Sequence, residues 1–187
     1  MPDEFRLPTS RLTLRSWRED DRDAFAALNA DPEVTLDLGG PLSRADSDAK
    51  FDRYRATFNR HGFSRWAIEE PRGLFVGYAG VMPSPSGHPL GPHAEIGWRL
   101  VRSAWGQGYA AEAARAALAD VFMRVSLGEV LAYTSADNVR SQAVMRRLGL
   151  RREPKRDFDA VYGDMPWHGL VWAARPVTEM RQSVTQL

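Results

Sequence analysis

A strand-like run that leads through a glycine-bearing turn into an alanine-rich helix constrains this chain more than any other feature. The run ends at Val101, the turn carries Gly106 and Gly108, and a helix is predicted from Gly106 to Met123. Because the first N–H groups of a helix lack intrahelical partners and lie at the positive end of its dipole, they attract anions. Glycine lets a phosphate reach the backbone without meeting a side chain. The segment therefore predicts a main-chain cradle for a phosphate-bearing ligand.

Two widespread phosphate-binding patterns do not account for this turn. A P-loop requires Lys and then Ser or Thr after its last glycine, whereas Tyr109 and Ala110 follow Gly108. The dinucleotide spacing G-x-G-x-x-G/A is met by Gly106, Gly108 and Ala111. However, the turn lies mid-chain, and no parallel strand after it ends in a ribose-binding acid near position 128. A further interpretation, the close packing of a small-residue helix on a sheet, stays open from these residues alone.

Hydrophobic periodicity and turn residues predict the mixed α/β order β-α-α-β-β-β-α-β-α-β-β. Predicted strands cover residues 10–18, 65–69, 74–82, 93–101, 129–134, 150–158 and 168–175. Besides the helix that ends at Met123, predicted helices run from Asp20 or Asp21 to Asp31, from Ser43 to about His61, and from Asp137 or Asn138 to Gly149. The connection 83–92 is long for a hairpin, so it is either a substrate lid or an irregular surface loop.

Composition narrows the class of protein. The 187 residues suffice for one domain, predicted over 1–187 with a core at about 9–175 and a polar tail at 176–187. A formal net charge of +1 predicts neither nucleic-acid nor membrane binding. Because there is no cysteine and the histidines lack metal-ligand spacing, we expect no metal. Without a signal-like start or a run of membrane-spanning length, the chain is expected to be cytoplasmic.

Two ordered motifs give the chain a resemblance to a known family. Trp105, Gly108 and Ala110 stand at the first, fourth and sixth positions of a segment similar to the coenzyme A pyrophosphate motif R/Q-x-x-G-x-G/A of the GNAT acetyltransferases. A Trp at the first position, after a strand reading AEIGW, resembles the RimJ/RimL-like branch. A second block, NVRS at 138–141 followed by RLGL at 147–150, is similar to the N-x-x-S…L-G-F of that branch. The resemblance covers about residues 9–175 and is specific for the family, but not for the substrate.

The resemblance implies the GNAT fold, an α/β (mixed α+β) architecture. Its central, mostly antiparallel, twisted sheet would have about seven strands, splayed at the coenzyme site, with about four helices. Main-chain N–H groups of the glycine turn would hold the pyrophosphate of acetyl-CoA, the cosubstrate, and the backbone of 99–101 would pair with the pantetheine arm like an added strand. The residues so assigned to the coenzyme are Arg99, Leu100, Val101, Gln107, Gly108, Tyr109, Ala110, Ala111 and Asn138.

The resemblance also suggests catalytic roles. It places Ser141 near the thioester sulfur, where the hydroxyl would stabilise or protonate the departing thiolate, and Glu95 is the candidate base for the amine, acting through water. Each residue has a structural alternative. Ser141 is also suited to a solvated first turn of a helix, and strand alternation puts Glu95 and Arg99 on one face, where they would pair. Asn138 is equally suited to cap a helix, and Tyr133 is a weaker candidate for proton handling.

The implied acceptor is a primary amine, on a protein N-terminus or a small molecule, which attacks the thioester directly in a ternary complex. An α-amine, with a pKa of about 7.7–8.0, deprotonates more easily than lysine at about 10.4. Arg99 stands where the branch often has another residue, which favours acidic acceptors. A non-catalytic acyl-CoA sensor, a dinucleotide-dependent oxidoreductase and a homodimeric assembly stay open. Five aromatic residues serve either the acceptor pocket or the core: Trp17, Phe25, Trp66, Tyr109 and Trp167.

Overall fold

The computed structural model describes residues 5–36, 39–162 and 165–176, so the predicted tail from residue 177 onward lies outside it. Within these residues the chain forms five helices and nine strands. The helices are α1 (Arg22–Ala30), α2 (Pro32–Thr35), α3 (Arg44–His61), α4 (Tyr109–Met123) and α5 (Val139–Arg147). The strands are β1 (Arg6–Pro8), β2 (Thr13–Arg15), β3 (Arg65–Glu69), β4 (Phe75–Pro83), β5 (Ala94–Leu100), β6 (Val130–Thr134), β7 (Arg151–Arg152), β8 (Phe158–Tyr162) and β9 (Met165–Ala174).

The strands form one mixed sheet in the order β1-β2-β3-β4-β5-β6-β9-β7, and β8 pairs with β9 as a hairpin. Neighbouring strands run antiparallel, except that β5 and β6 are parallel. The mixed α/β class and the mostly antiparallel sheet predicted above are confirmed. The strand count exceeds the expected seven because short strands, such as the three residues of β1 and the two of β7, extend the sheet at its edges.

Local capping chemistry determines the helix ends, and most of them match the predictions. The Ser43 hydroxyl accepts the N–H of Asp46 at 3.1 Å and begins α3, and Gly62, with φ 73°, ends it in the left-handed conformation. The segment 150–158 was predicted as one strand, and this is wrong. Pro154 interrupts it with a short 3₁₀ turn, because proline has no N–H to donate to a ladder.

The two faces of the sheet carry different helices. The small side chains of Ala113, Ala114 and Ala117 let α4 lie close against β4 and β5, where Val81 and Ile96 complete this core. On the opposite face, α1 and α3 enclose a second, aromatic core built from Trp17, Phe25, Phe51, Tyr54 and Tyr78. Because α4 follows β5 in the chain and packs beside it, the N-terminus of α4 lies at the carboxyl end of that strand.

The long connection between β4 and β5 closes a hairpin, with Pro83 opposite Ala94. The N–H of Ser84 donates to the carbonyl of His93 at 2.8 Å. The ring of His88 packs on Tyr133, with ring centroids 5.1 Å apart, and on Phe158 at 4.9 Å. These contacts hold the loop against the end of β6. No helix formed by the described residues has both the length and the apolar character needed to cross a membrane.

Candidate active site

A break in the sheet opens the site. The parallel strands β5 and β6 are joined at a single register pair, Glu95 with Leu131. Beyond that pair no ladder connects their carboxyl-terminal halves in the part of the chain that the structure describes. A cavity of about 320 Å³ lies here, between the end of β5, the turn before α4 and one side of α5. Its lining consists of Val34, Trp98, Arg99, Leu100, Ala104, Trp105, Gly106, Gly108, Tyr109, Ala110, Ala111, Asn138, Arg140, Ser141, Ala143, Val144 and Arg147.

The turn before α4 has the geometry of an anion cradle. Gly106 and Gly108 adopt φ values of 74° and 81°, which side-chain-bearing residues rarely accept. Gly108 is the N-cap of α4, so the first N–H groups of this helix are open toward the cavity end of the turn. Trp105 ties the turn to β5, because its indole Nε1 donates to the Leu100 carbonyl at 2.9 Å. This bond is a structural reason for Trp at the first position of the motif.

Three arginines surround the cradle, and sequence reasoning missed all of them. A Cβ built on Gly108 would lie 3.5 Å from Arg11 Nη2 and 3.6 Å from Arg147 Nη1. The Arg140 guanidinium stacks on the Trp105 ring, 4.0 Å from its centroid. Arg140 and Arg147 lie seven residues apart on α5, and this helical spacing was a readable signal for a basic face. No Asp or Glu of the described residues lines the cavity, which suits a polyanionic ligand.

Arg11 comes from a different part of the chain and is held by Glu112 in the first turn of α4. Glu112 Oε2 lies 2.7 Å from Arg11 Nε, and Oε1 accepts the hydroxyls of Thr9 and Ser10. Arg11 Nη1 also donates to the carbonyl of Gln107 at 2.9 Å. Burial by itself would raise the pKa of the Glu112 carboxyl, but the hydrogen bonds from Thr9, Arg11 and Ser10 outweigh burial and lower it to about 2. The carboxylate therefore stays ionised across the physiological range.

Asn138 and Ser141 both reach the cavity from the start of α5. The Asn138 Oδ1 accepts the N–H of Ser141 at 3.0 Å, so Asn138 is the N-cap of α5 while it also lines the cavity. The hydroxyl of Ser141 makes no hydrogen bond to any residue that the structure describes, and the residue is half-buried. The hydroxyl is therefore available to a ligand in the cavity. This arrangement is compatible with the coenzyme contact and thiolate partner suggested by the sequence.

Hydrogen bonds at the end of β5 leave only some of its backbone groups free to pair with an added strand. The N–H of Val101 donates to Val76 at 3.0 Å and its carbonyl accepts the N–H of Ala104, so both groups are already used. Backbone groups alternate sides along a strand, so those of Arg99 also point to β4. The groups of Trp98 and Leu100 point to the splayed side, where the Leu100 carbonyl already accepts the Trp105 indole N–H. Neither Val101 nor Gln107 is among the lining residues, although Gln107 lies within the cradle turn.

Glu95 lies outside the cavity lining, at the point where β5 and β6 still pair. Its Oε1 is 3.0 Å from Nη2 of Arg65, a buried arginine from β3. Glu95 thus has an ion-pair partner, but the partner is Arg65 and not Arg99. The Arg65 guanidinium crosses Gly97, where a Cβ would come within 2.7 Å of Nη2. A side chain at position 97 would therefore displace the end of the Arg65 side chain.

Behind the cavity, the face of the sheet covered by α1 and α3 carries a buried polar cluster. Arg99 Nη1 donates to Asn29 Oδ1 at 2.7 Å, and Lys50 Nζ donates to the same oxygen at 3.3 Å. Burial would raise the pKa of the Tyr78 hydroxyl, but the charges of Arg99 and Lys50 outweigh burial and lower it to about 7. Burial lowers the pKa of the Lys50 ammonium and raises that of the Tyr54 hydroxyl.

The aromatic residues divide between core and cavity. Trp17, Phe25 and Trp66 are buried in the two cores. Tyr109 lines the cavity and lies under the Arg11 guanidinium at 4.9 Å. Trp167 packs with Phe158 and Tyr133 on the far side of the sheet break, at centroid distances of 5.5 and 6.4 Å. Of the five, only Tyr109 lines this cavity.

Known proteins with similar sequences or structures agree with this geometry. The model of the acetyltransferase (GNAT) domain family matches residues 11–151. FsC-acetyl coenzyme A-N(2)-transacetylase from Aspergillus fumigatus is 31% identical over 151 residues, which are 77% of this chain and 64% of that protein. The crystal structure of an acetyltransferase from Agrobacterium tumefaciens has a TM-score of 0.78 and 30% identity, covering 92% of this chain and 95% of that chain.

The fold is also similar to that of RimL, the ribosomal L7/L12 α-N-protein acetyltransferase solved in complex with coenzyme A. That likeness has a TM-score of 0.74 and 20% identity, over 91% of this chain and 98% of that chain. At this level of identity the likeness shows a shared fold. The glycine cradle, the sheet break and the family match over most of the chain lead to one conclusion: this chain belongs to the GNAT family of N-acetyltransferases.

Proposed function

We propose that this protein is an acetyl-CoA-dependent N-acetyltransferase that transfers the acetyl group to a primary amine by direct attack in a ternary complex. The observation that carries the proposal is the cavity at the break between β5 and β6. Its lining contains the N-terminus of α4, with Arg140 and Arg147 beside it, and no acidic residue among the described ones. A site of this charge and shape suits a long anionic cosubstrate better than a neutral one.

The coenzyme would bind along the cavity with its pyrophosphate on the glycine turn. Main-chain N–H groups of 107–111 are the proposed donors, and Arg11 and Arg147 flank Gly108 at contact distance. Charge-assisted hydrogen bonds of this kind contribute about 1.5–3 kcal/mol each. The pantetheine arm would pair with the splayed edge of β5 at Trp98 and at the N–H of Leu100, because the backbone groups of Val101 and the Leu100 carbonyl are already used. Asn138 would lie beside that arm.

The chemical step requires a neutral amine, a polarised carbonyl and a stabilised leaving group. The amine nitrogen attacks the thioester carbonyl carbon, the carbon–sulfur bond breaks, and the nitrogen loses a proton. We assign the removal of that proton to Glu95, acting through a water molecule. The Ser141 hydroxyl would stabilise the departing thiolate. Support for Ser141 comes from its place in the cavity with an unused hydroxyl. Glu95 has weaker support, since it pairs with Arg65 and lies outside the lining.

The acceptor is proposed to be an α-amine of a protein N-terminus or of a small molecule. The relatives support an amine acceptor in general terms, since one is named a transacetylase and another acetylates a ribosomal protein. A non-catalytic acyl-CoA-binding sensor is the alternative. The cytoplasmic location and the homodimer stay predictions.

An acceptor screen tests the proposal directly. The purified protein is incubated with acetyl-CoA and a panel of amino acids, polyamines and peptides, and the release of free coenzyme A thiol is followed. Acceptor-dependent release supports the transferase. Tight acetyl-CoA binding without release for any acceptor in the panel would favour the sensor.

A further inference from the structure

A buried guanidinium at the cavity has no carboxylate partner among the residues that the structure describes. Arg99 is only 8% exposed, yet it donates Nη1 to a neutral oxygen, Asn29 Oδ1, at 2.7 Å. Its Nε has no hydrogen-bond partner among the described residues. A buried charge is costly when it is unpaired, so native proteins normally supply a partner. The guanidinium therefore has an unused donor that could bind an anion entering the cavity.

Two other buried arginines on the same face of the sheet do have carboxylate partners. Arg15, 3% exposed, forms ion pairs with Asp21 at 2.7 Å and Glu69 at 2.6 Å. Arg65, 6% exposed, forms one with Glu95 at 3.0 Å. Of these three buried arginines, only Arg99 has no carboxylate of the described residues within ion-pair distance, and only Arg99 lines the cavity.

A second cation reinforces the positive charge. The Lys50 ammonium lies 3.3 Å from the same Asn29 oxygen and 5.5 Å from the Tyr78 ring centroid. Asn29 is held in this orientation, because its Nδ2 donates to the Phe25 carbonyl at 2.9 Å. Two cations therefore share one neutral acceptor. Although burial would raise the pKa of the Tyr78 hydroxyl, the charges of Arg99 and Lys50 lower it, which is the response expected where positive charge is in excess.

The location of Arg99 indicates which ligand would supply the anion. The proposed phosphate cradle lies at the N-terminus of α4, on the face of the sheet that packs against α4. The Arg99 side chain lies on the opposite face, with Asn29 of α1, and Val34 of α2 lines the cavity on that side. The proposed cradle would hold the phosphates of the coenzyme, which leaves the second substrate as the source of an anion for Arg99.

We propose that the acceptor is a primary amine bearing a carboxylate close to the reacting nitrogen, and that Arg99, with Lys50, binds that carboxylate. This inference rests on the proposed transferase function. The carboxylate has two sources of the same chemistry: the α-carboxylate of a free amino acid, or the acidic side chain of an N-terminal residue in a peptide. Arg99 is thus a specificity-determining residue for the acceptor.

Matched acceptor pairs test the inference. L-leucine is compared with L-leucinamide, and a peptide that begins with Asp is compared with the same peptide beginning with Asn. We expect the carboxylate member of one pair to have a kcat/KM about 10- to 100-fold higher, as for hydrogen bonds to a charged group. The pair that shows the preference identifies the source of the carboxylate. Equal kcat/KM within both pairs, with thiol release intact, would overturn the inference and leave the transferase standing.

Variants assign the preference to Arg99. Arg99→Gln is expected to reduce the preference to less than about threefold, and Arg99→Lys to restore part of it. Arg60→Gln is the matched control, because it removes an exposed arginine charge from the end of α3. Stabilisation by acetyl-CoA serves as the folding check for each variant. A preference that persists in folded Arg99→Gln would overturn the assignment.

A binding measurement keeps the inference testable without turnover. Calorimetry compares N-acetylleucine with N-acetylleucinamide, with and without coenzyme A. Selective binding of the carboxylate form, lost in Arg99→Gln, supports the anion site. It does so even if no acceptor releases thiol, because the absence of thiol release would remove only the transferase proposal. Binding of neither compound, together with no thiol release, would overturn both.

Discussion

The Glu112 carboxylate binds both the side chain and the backbone of Arg11: Oε2 lies 2.7 Å from Arg11 Nε, and Oε1 accepts the Arg11 main-chain N–H at 2.8 Å. The contact ties the loop before β2 to the first turn of α4. As a result, Arg11 Nη2 lies beside the position where a Gly108 side chain would project. The carboxylate of Glu112 is thus a positioning group for a cation at the proposed phosphate cradle.

We expect Glu112→Gln to weaken acetyl-CoA binding by about 5- to 30-fold, because Arg11 loses its charged partner and the loop loosens. Isothermal calorimetry measures the change in Kd. Asp120→Asn is the matched control, since it removes an ion pair with Arg124 on the same helix. If Glu112→Gln binds acetyl-CoA as tightly as wild type, Arg11 is not part of the coenzyme site.

The same carboxylate should make stability depend on pH. Its pKa falls from 4.5 to about 2 on folding, so the stabilisation is complete above 4.5 and is lost as the pH falls toward 2. The difference in unfolding free energy between wild type and Glu112→Gln is expected to shrink to about half or less at pH 3. Urea unfolding from pH 7 to pH 3 measures it. A difference that stays constant over this range would contradict the ionised, hydrogen-bonded carboxylate.

Gly108→Val is expected to abolish acetyl-CoA binding while the fold survives. A β-branched side chain at φ 81° is strained and would project between Arg11 and Arg147. The strain of about 1–2 kcal/mol lowers Tm by roughly 2–8 °C. Gly73→Val is the control, because Gly73 has φ 80° and no neighbour within 4 Å of its Cβ. Unchanged affinity in folded Gly108→Val would place the cradle elsewhere.

Ser141→Ala is expected to lower kcat with little change in acetyl-CoA affinity. The hydroxyl makes its proposed hydrogen bond mainly in the transition state, so its loss costs about 2–4 kcal/mol, or roughly 30- to 1,000-fold. Single-turnover kinetics isolates the chemical step. Ser103→Ala, at an exposed position outside the cavity lining, should have wild-type kinetics. Undiminished chemistry in Ser141→Ala would remove this residue from the mechanism.

Acetyl-CoA is expected to stabilise the protein, and NADH is not. A ligand at about 100 times its Kd adds roughly 2.7 kcal/mol to the folded state. For a domain of this size, that raises Tm by about 5–11 °C. Coenzyme A should give much of the shift, and dephosphorylated pantetheine little, because it lacks the anion. A shift with NADH alone would contradict coenzyme A as the ligand.

The features that the sequence determined by itself are local in the chain. The glycine turn, the alanine-rich helix, the Ser43 cap and the Asn138 cap depend on residues within a few positions of one another, so their patterns could be read directly. The resemblance to the GNAT family follows from two such local motifs. The proline at 154 was also readable in the sequence, and it explains the interruption of the strand predicted over 150–158.

The tertiary structure decided the rest, because side chains far apart in sequence meet only after the sheet has closed. Arg11 and Glu112 are 101 residues apart, and Arg99 and Asn29 are 70 apart. Strand alternation put Glu95 and Arg99 on one face, but only the packing of β3 against β4 brought Arg65 to Glu95 instead. The pairing of Val101 with Val76 likewise depends on sheet register. Ion pairing depends on distance in space, so only the assembled fold determines which buried arginine lacks a carboxylate partner.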